Sequence, residues 1–131
     1  MYTPRINVTS FLSLNVRGLR DFRKRSKIVY WLKQFKLNHI VFLQETHSSQ
    51  EIENSWFKDW PGKCFFSHGT SSARGVCILI KDSLNYVVHN SVTDTNGRYV
   101  ILDISVGDYR MSIANIYVIF YFLLSVTLIG W

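Results

Sequence analysis

The sequence predicts a mixed α/β domain, and three observations carry that prediction. An apolar run, Ile40–Gln44, leads directly into an acid, Glu45, as a buried strand does when it delivers a side chain to the rim of a sheet. An amphipathic stretch over residues 22–37 separates that run from an earlier apolar one, giving strand–helix–strand. Beyond Pro61 the chain reads as short apolar runs broken by turn residues, the pattern of a β meander. With 131 residues it is long enough for one domain with a real core and too short for two ordinary ones. A composition that is 47% apolar and 18% charged excludes intrinsic disorder.

Taken in order, INVTSFLSL (residues 6–14) is rich in β-branched and apolar residues and is expected to be a strand, ending at a turn marked by Gly18. Asp21 is placed to cap a helix over residues 22–37. Ile28, Val29, Trp31, Leu32 and Phe35 give its apolar face, and Arg23, Lys24, Lys27, Lys33 and Lys36 its basic one. Asn38 is a plausible stop before the strand at Ile40–Gln44; if that strand is parallel to the first, the connection is a right-handed crossover. Ser48 followed by Glu51 has capping-box spacing for a short helix to about Trp60, which Pro61-Gly62 ends. Further strands are expected at Cys64–Ser67, 75–80 and 86–90. A hairpin over residues 98–106 and 109–117 is expected about Gly107-Asp108.

Charge and cysteine usage narrow the partners. The formal net charge is +6, and ten of the fifteen Lys and Arg precede Trp60. A cationic front half suits a polyanion such as nucleic acid, and is also found on ordinary solvated surfaces. Cys64 and Cys77 lack the spacing of a zinc site and sit among apolar residues, which suits reduced, buried thiols and a nuclear or cytoplasmic setting. His39, His47, His68 and His89 are scattered without metal-ligand spacing, so structural or surface roles are expected for all four. The N-terminus has no basic stretch followed by an apolar one, so no signal peptide is expected.

Glu45 stands where α/β folds gather ligands, at the carboxyl end of a strand. Taken alone it could also be a solvated or helix-capping acid, Asn15 a turn residue and Tyr117 a core aromatic. A resemblance adds to this. Ser13-Leu14-Asn15-Val16-Arg17-Gly18-Leu19, a basic helix with Trp31-Leu32, and Leu43-Gln44-Glu45-Thr46-His47 resemble the start of the endonuclease/exonuclease/phosphatase family, in particular the apurinic-type endonuclease domain of LINE-type (non-LTR) retrotransposons. Ser72-Ala73-Arg74-Gly75-Val76, Gly97-Arg98-Tyr99-Val100 and Asn115-Ile116-Tyr117 follow in the same order. The resemblance implies a Mg²⁺-dependent DNA endonuclease acting by phosphodiester hydrolysis, with DNA as partner and no small-molecule cofactor. It implies that Glu45 is the metal-binding glutamate, Asn15 the asparagine beside metal and phosphate, and Tyr117 the tyrosine that helps hold the scissile phosphate. Arg17 and Arg98 are expected near the phosphates without a catalytic role.

The family pattern continues past the tyrosine with Gly-Asp-Phe-Asn-like and Ser-Asp-His-like motifs, whose aspartates and histidine complete the site. Here VIFYFLLSVTLIGW follows Tyr117 and neither motif is present. The expected architecture is therefore a partial α/β sandwich: the first half of that fold over residues 1–117, a mixed sheet with one or two flanking helices, and an apolar aberrant tail over 118–131. On that reading the chain is truncated and inactive alone, a non-catalytic remnant or weak DNA-binding module is the alternative, and the sheet left uncovered is expected to drive aggregation. Residues 111–131 carry no charge and approach the ~20 residues of a bilayer span. The stretch after Tyr117 is short for a span, so a tail-anchored membrane protein is the weakest reading.

Overall fold

The structure is a computed structural model and describes residues 9–34, 38–118 and 121–129. Its elements are β1 (Ser10–Asn15), α1 (Phe22–Gln34), β2 (Asn38–Gln44), a 3₁₀ turn (Gln50–Ile52) leading into α2 (Glu53–Asp59), β3 (Gly62–Ser67), β4 (Val76–Lys81), β5 (Tyr86–Thr93), β6 (Tyr99–Val106), β7 (Tyr109–Val118) and β8 (Tyr121–Ile129). The expected strand over Ile6–Val8 and the end of the expected helix at Phe35–Leu37, with Lys36, lie outside the described residues.

Two four-stranded sheets form, one in the order β1-β2-β4-β3 and one in the order β5-β6-β7-β8. In the first, β1 runs parallel to β2, with Asn15 opposite Gln44, and β4 pairs antiparallel with both β2 and β3. The parallel pair follows from the helical crossover that separates its strands. The second sheet is an antiparallel meander. Its central hairpin closes with Val106 opposite Tyr109, and Gly107 at φ 57° supplies the positive dihedral a two-residue turn needs.

The near-continuous apolar runs of β2 and β4 are buried on both faces, as such runs require. One face, with Val41, Leu43, Cys77 and Leu79, packs on Val29 and Leu32 of α1 and Trp56 of α2. The opposite face, with Ile40, Phe42, Val76, Ile78 and Ile80, packs on Val100, Leu102, Ile104, Met111 and Ile113 of the second sheet. The expectation of an uncovered sheet is thereby overturned, because the second sheet covers this face. The strict alternation of β6 and β7 aims every second side chain at the first sheet, so the meander makes its own covering layer.

Asp21 caps α1, its Oδ1 accepting the Arg23 amide at 2.9 Å. The capping box is overturned: Ser49 occupies the N-cap of the 3₁₀ turn without a side-chain bond, and the Ser48 hydroxyl is engaged with Thr46 and His68. Trp31, expected on the apolar face of α1, is 43% exposed, because the buried stripe is narrower and runs through Arg25, Val29 and Leu32. Tyr121–Ile129, in the stretch expected to be an aberrant tail, pairs with β7 as an edge strand. Among the described residues no helix is long and apolar enough to cross a membrane.

Candidate active site at the carboxyl end of β2

The site is built where β2 ends. Val16 continues the β1 ladder by donating to the Gln44 carbonyl, and the chain then leaves the sheet at Glu45 with φ 55°, a left-handed conformation uncommon for a side-chain-bearing residue. Both sides of this loop are tied down. Gly18 and Leu19 donate to the carbonyls of Glu45 and Thr46 at 2.6 and 2.9 Å, while Thr46 and His47 donate to those of Gly75 and Arg74 at 3.0 Å each. Arg17, His47 and Arg74 share the left-handed conformation, so four such residues meet at one end of the sandwich. Concentrated backbone strain of this kind persists only where the surroundings over-determine it, and it clusters at functional sites.

Glycines allow that close packing. Gly75, at φ 92°, lies against Thr46, and a Cβ there would collide with the Thr46 hydroxyl. Gly18, at φ 89°, would place a Cβ 2.6 Å from Nδ1 of His47. Either substitution would displace the loop that carries Glu45.

Two of the three expected site residues are in direct contact. The Tyr117 hydroxyl donates to Oε1 of Glu45 at 2.9 Å, although 72 positions separate them in sequence. The bond holds the phenolic proton, and together with partial burial and the carboxylate charge it raises the Tyr117 pKa above its ordinary value. The phenol is therefore a neutral donor at physiological pH. Asn15 lies at the adjacent strand end, opposite Gln44, and turns its Oδ1 back to accept the Arg17 amide at 3.0 Å. That bond assigns the amide: the oxygen serves the turn, and the NH₂ makes no hydrogen bond among the described residues.

The residues fit a hard divalent cation. Oε1 of Glu45 is shared with Tyr117, and Oε2 makes no hydrogen bond among the described residues. No group of three or more His, Cys, Asp or Glu able to hold a metal occurs among the described residues, so any cation here would rest on the one carboxylate. Mg²⁺ accepts such a site because it keeps several of its waters. Three arginines lie on the backbone of this end of the sandwich: the Arg17 amide donates to Asn15, the Arg74 carbonyl accepts from His47, and the Arg98 carbonyl accepts the Tyr117 amide at 2.8 Å.

Comparison with known proteins gives the family. The family model described as "Endonuclease/Exonuclease/phosphatase family" matches residues 12–117. The chain belongs to the endonuclease/exonuclease/phosphatase family. It is also 32% identical over 108 residues, 82% of its own length, to the "Transposon TX1 uncharacterized 149 kDa protein" of Xenopus laevis. The chain spans 8% of that relative. Membership of the endonuclease/exonuclease/phosphatase family makes this a nuclease- or phosphodiesterase-type domain, and its family segment ends on Tyr117 itself.

Three groups escaped the sequence reading. Asn115 and Gln44 form a buried polar bridge between the sheets, described below. Next to Glu45, Thr46 bonds Ser48, Ser48 bonds Nδ1 of His68 at 2.9 Å, and Nε2 of His68 bonds Glu53 at 2.5 Å. Thr46 and Ser48 are fully buried, so this chain braces the Glu45 loop against α2 and offers no accessible nucleophile. Arg25, 3% exposed, pins the β1–α1 loop through the Leu19 carbonyl and α2 through the Ser55 hydroxyl. A lone arginine in a basic helix carries no sequence signal for burial; only the fold supplies its partners.

Proposed function

We propose that residues 12–117 form the metal-carboxylate and phosphate-holding half of a Mg²⁺-dependent DNA endonuclease site, of the kind that nicks target DNA for a retrotransposon, working in the nucleus or cytoplasm. One observation carries the reading: Tyr117 bonds Glu45 across the end of the sandwich, beside the Asn15 strand end. Bound Mg²⁺ would supply neutralisation of the charge that develops on a scissile phosphate. The chain's own residues supply the rest of this half. Glu45 holds the cation; with the carboxylate so engaged, the Tyr117 hydroxyl turns its one proton from Glu45 to a phosphate oxygen, the Asn15 amide donates to another, and Arg17, Arg74 and Arg98 bind the flanking backbone as sequence-independent cations.

The likeness to a transposon protein supports a mobile-element setting. Glu45 is part of no metal-holding group of three or more His, Cys, Asp or Glu among the described residues, which supports binding without turnover by these residues. Fluorescence anisotropy with a duplex oligonucleotide, alongside plasmid nicking, tests both parts. The expected result is DNA binding with a Mg²⁺-dependent component that Glu45→Ala removes, and no Glu45-dependent nicking. Binding indifferent to Mg²⁺ and to Glu45 would reduce the chain to a cationic DNA-binding remnant. Glu45-dependent nicking would show instead that these residues suffice for turnover.

A further inference from the structure

The two sheets meet through apolar side chains along most of their length, but the layer between them ends in a polar bridge. Asn115 of β7 is fully buried, and its side chain reaches out of its own sheet into the other. Its Nδ2 donates at 2.9 Å to the carbonyl of Leu43 in β2 and at 2.9 Å to that of Cys77 in β4, residues that are register partners. Its Oδ1 accepts from Nε2 of Gln44 at 2.9 Å, and Gln44 is itself fully buried and also donates to Ser13 of β1 at 3.0 Å. One side chain of the second sheet is thus tied to two strands of the first directly, and through Gln44 to a third.

The site begins one step further out on each strand. Glu45 follows Gln44, and Tyr117 lies two residues beyond Asn115, on the same face of β7 because strand side chains alternate. Apolar contacts between sheets are non-directional and tolerate sliding along the strand. A bidentate amide aimed at two particular carbonyls does not.

We infer that Asn115, held by Gln44, is the positioning residue of this site, fixing the axial seat of β7 on the first sheet so that the Tyr117 hydroxyl meets Glu45. The role deepens the proposed function and rests on it for its purpose; the geometry it sets can be read without DNA or Mg²⁺.

The test is the nuclear Overhauser effect between the Tyr117 ring and the Glu45 side-chain methylenes, in the full chain with labelled Tyr and Glu. Wild type is expected to show it. Asn115→Leu is expected to lose it while keeping the β6–β7 cross-strand pattern. Gln44→Met, which leaves Asn115 its two carbonyls, is expected to weaken it and to fold even where Asn115→Leu does not. A general loss of stability would lower the melting temperature without changing this contact in the folded protein. The contact at wild-type intensity in folded Asn115→Leu, or in Gln44→Met if the former does not fold, overturns the assignment. Failure of the proposed function would register separately, as DNA binding indifferent to Mg²⁺ and to Glu45→Ala.

Discussion

At the scale of single residues, the site is a small set of side chains held on strained backbone. Arg17 shows the strain most simply, being exposed, at φ 50°, with its carbonyl bonded by Lys24 and its amide by Asn15. A left-handed residue costs roughly 1–2 kcal/mol, and glycine returns about 0.5–1 kcal/mol of that as lost chain entropy. Arg17→Gly is therefore expected to raise stability by a few tenths to about 1 kcal/mol in urea unfolding while weakening DNA binding. Gly75→Ala goes the other way, because the added methyl meets Thr46 on a backbone at φ 92°. It is expected to cost about 2 kcal/mol or more and to disturb the amides of Thr46 and His47. The resemblance singled out Asn15, Glu45 and Tyr117 because each sits in a short motif at a strand end, and the structure brings all three to one end of the sandwich. Their bonding was not legible, since the Tyr117–Glu45 and Gln44–Asn115 partners lie 72 and 71 positions apart. Burial pushes the Cys64 thiol up to about 12 and Cys77 well above its ordinary value, and both are free, buried thiols on strands, as read from their apolar neighbours.

At the scale of elements, strand type and position were readable and termini less so. The Gly107-Asp108 hairpin and the Asp21 cap rest on local chemistry and stand where that chemistry put them. The Ser48–Glu51 capping box had the same kind of signal and lost to a tertiary one, since the Ser48 hydroxyl is worth more buried between Thr46 and His68. On the outer face of the second sheet, Arg110 of β7 makes a bidentate pair with Asp103 of β6 at 2.8 and 3.2 Å. The hydrogen bond from Arg110 is the main reason the Asp103 carboxyl is held below its ordinary pKa. Because the folded value is depressed, the stabilisation is present above the unfolded carboxylate range and fades as pH falls through the folded value. Urea unfolding of wild type and Arg110→Met is thus expected to differ at pH 7 and to converge as pH falls through the depressed Asp103 value. A difference undiminished by acid would mean that Arg110 acts through packing instead.

At the scale of the whole molecule, the chain is a two-sheet sandwich whose interlayer core ends in the Asn115 bridge and then in the site. The second sheet was visible as alternation in residues 98–117. What that alternating face covers was not legible, because alternation marks a buried side of a strand without saying which layer buries it. The interlayer core couples the two sheets, so Ile113→Ala, removing a fully buried side chain, is expected to cost about 2–5 kcal/mol and to lower a single unfolding transition rather than split it. The account turns on Glu45 as the carboxylate of a cation site that Tyr117 and Asn15 flank. The most direct test is a Mn²⁺ titration followed by amide NMR of the full chain, with Mg²⁺ as competitor. The account predicts paramagnetic broadening centred on Asn15, Glu45, Thr46 and Tyr117, reversed by excess Mg²⁺ and absent in Glu45→Gln. Broadening elsewhere, or an unchanged pattern in Glu45→Gln, would contradict it.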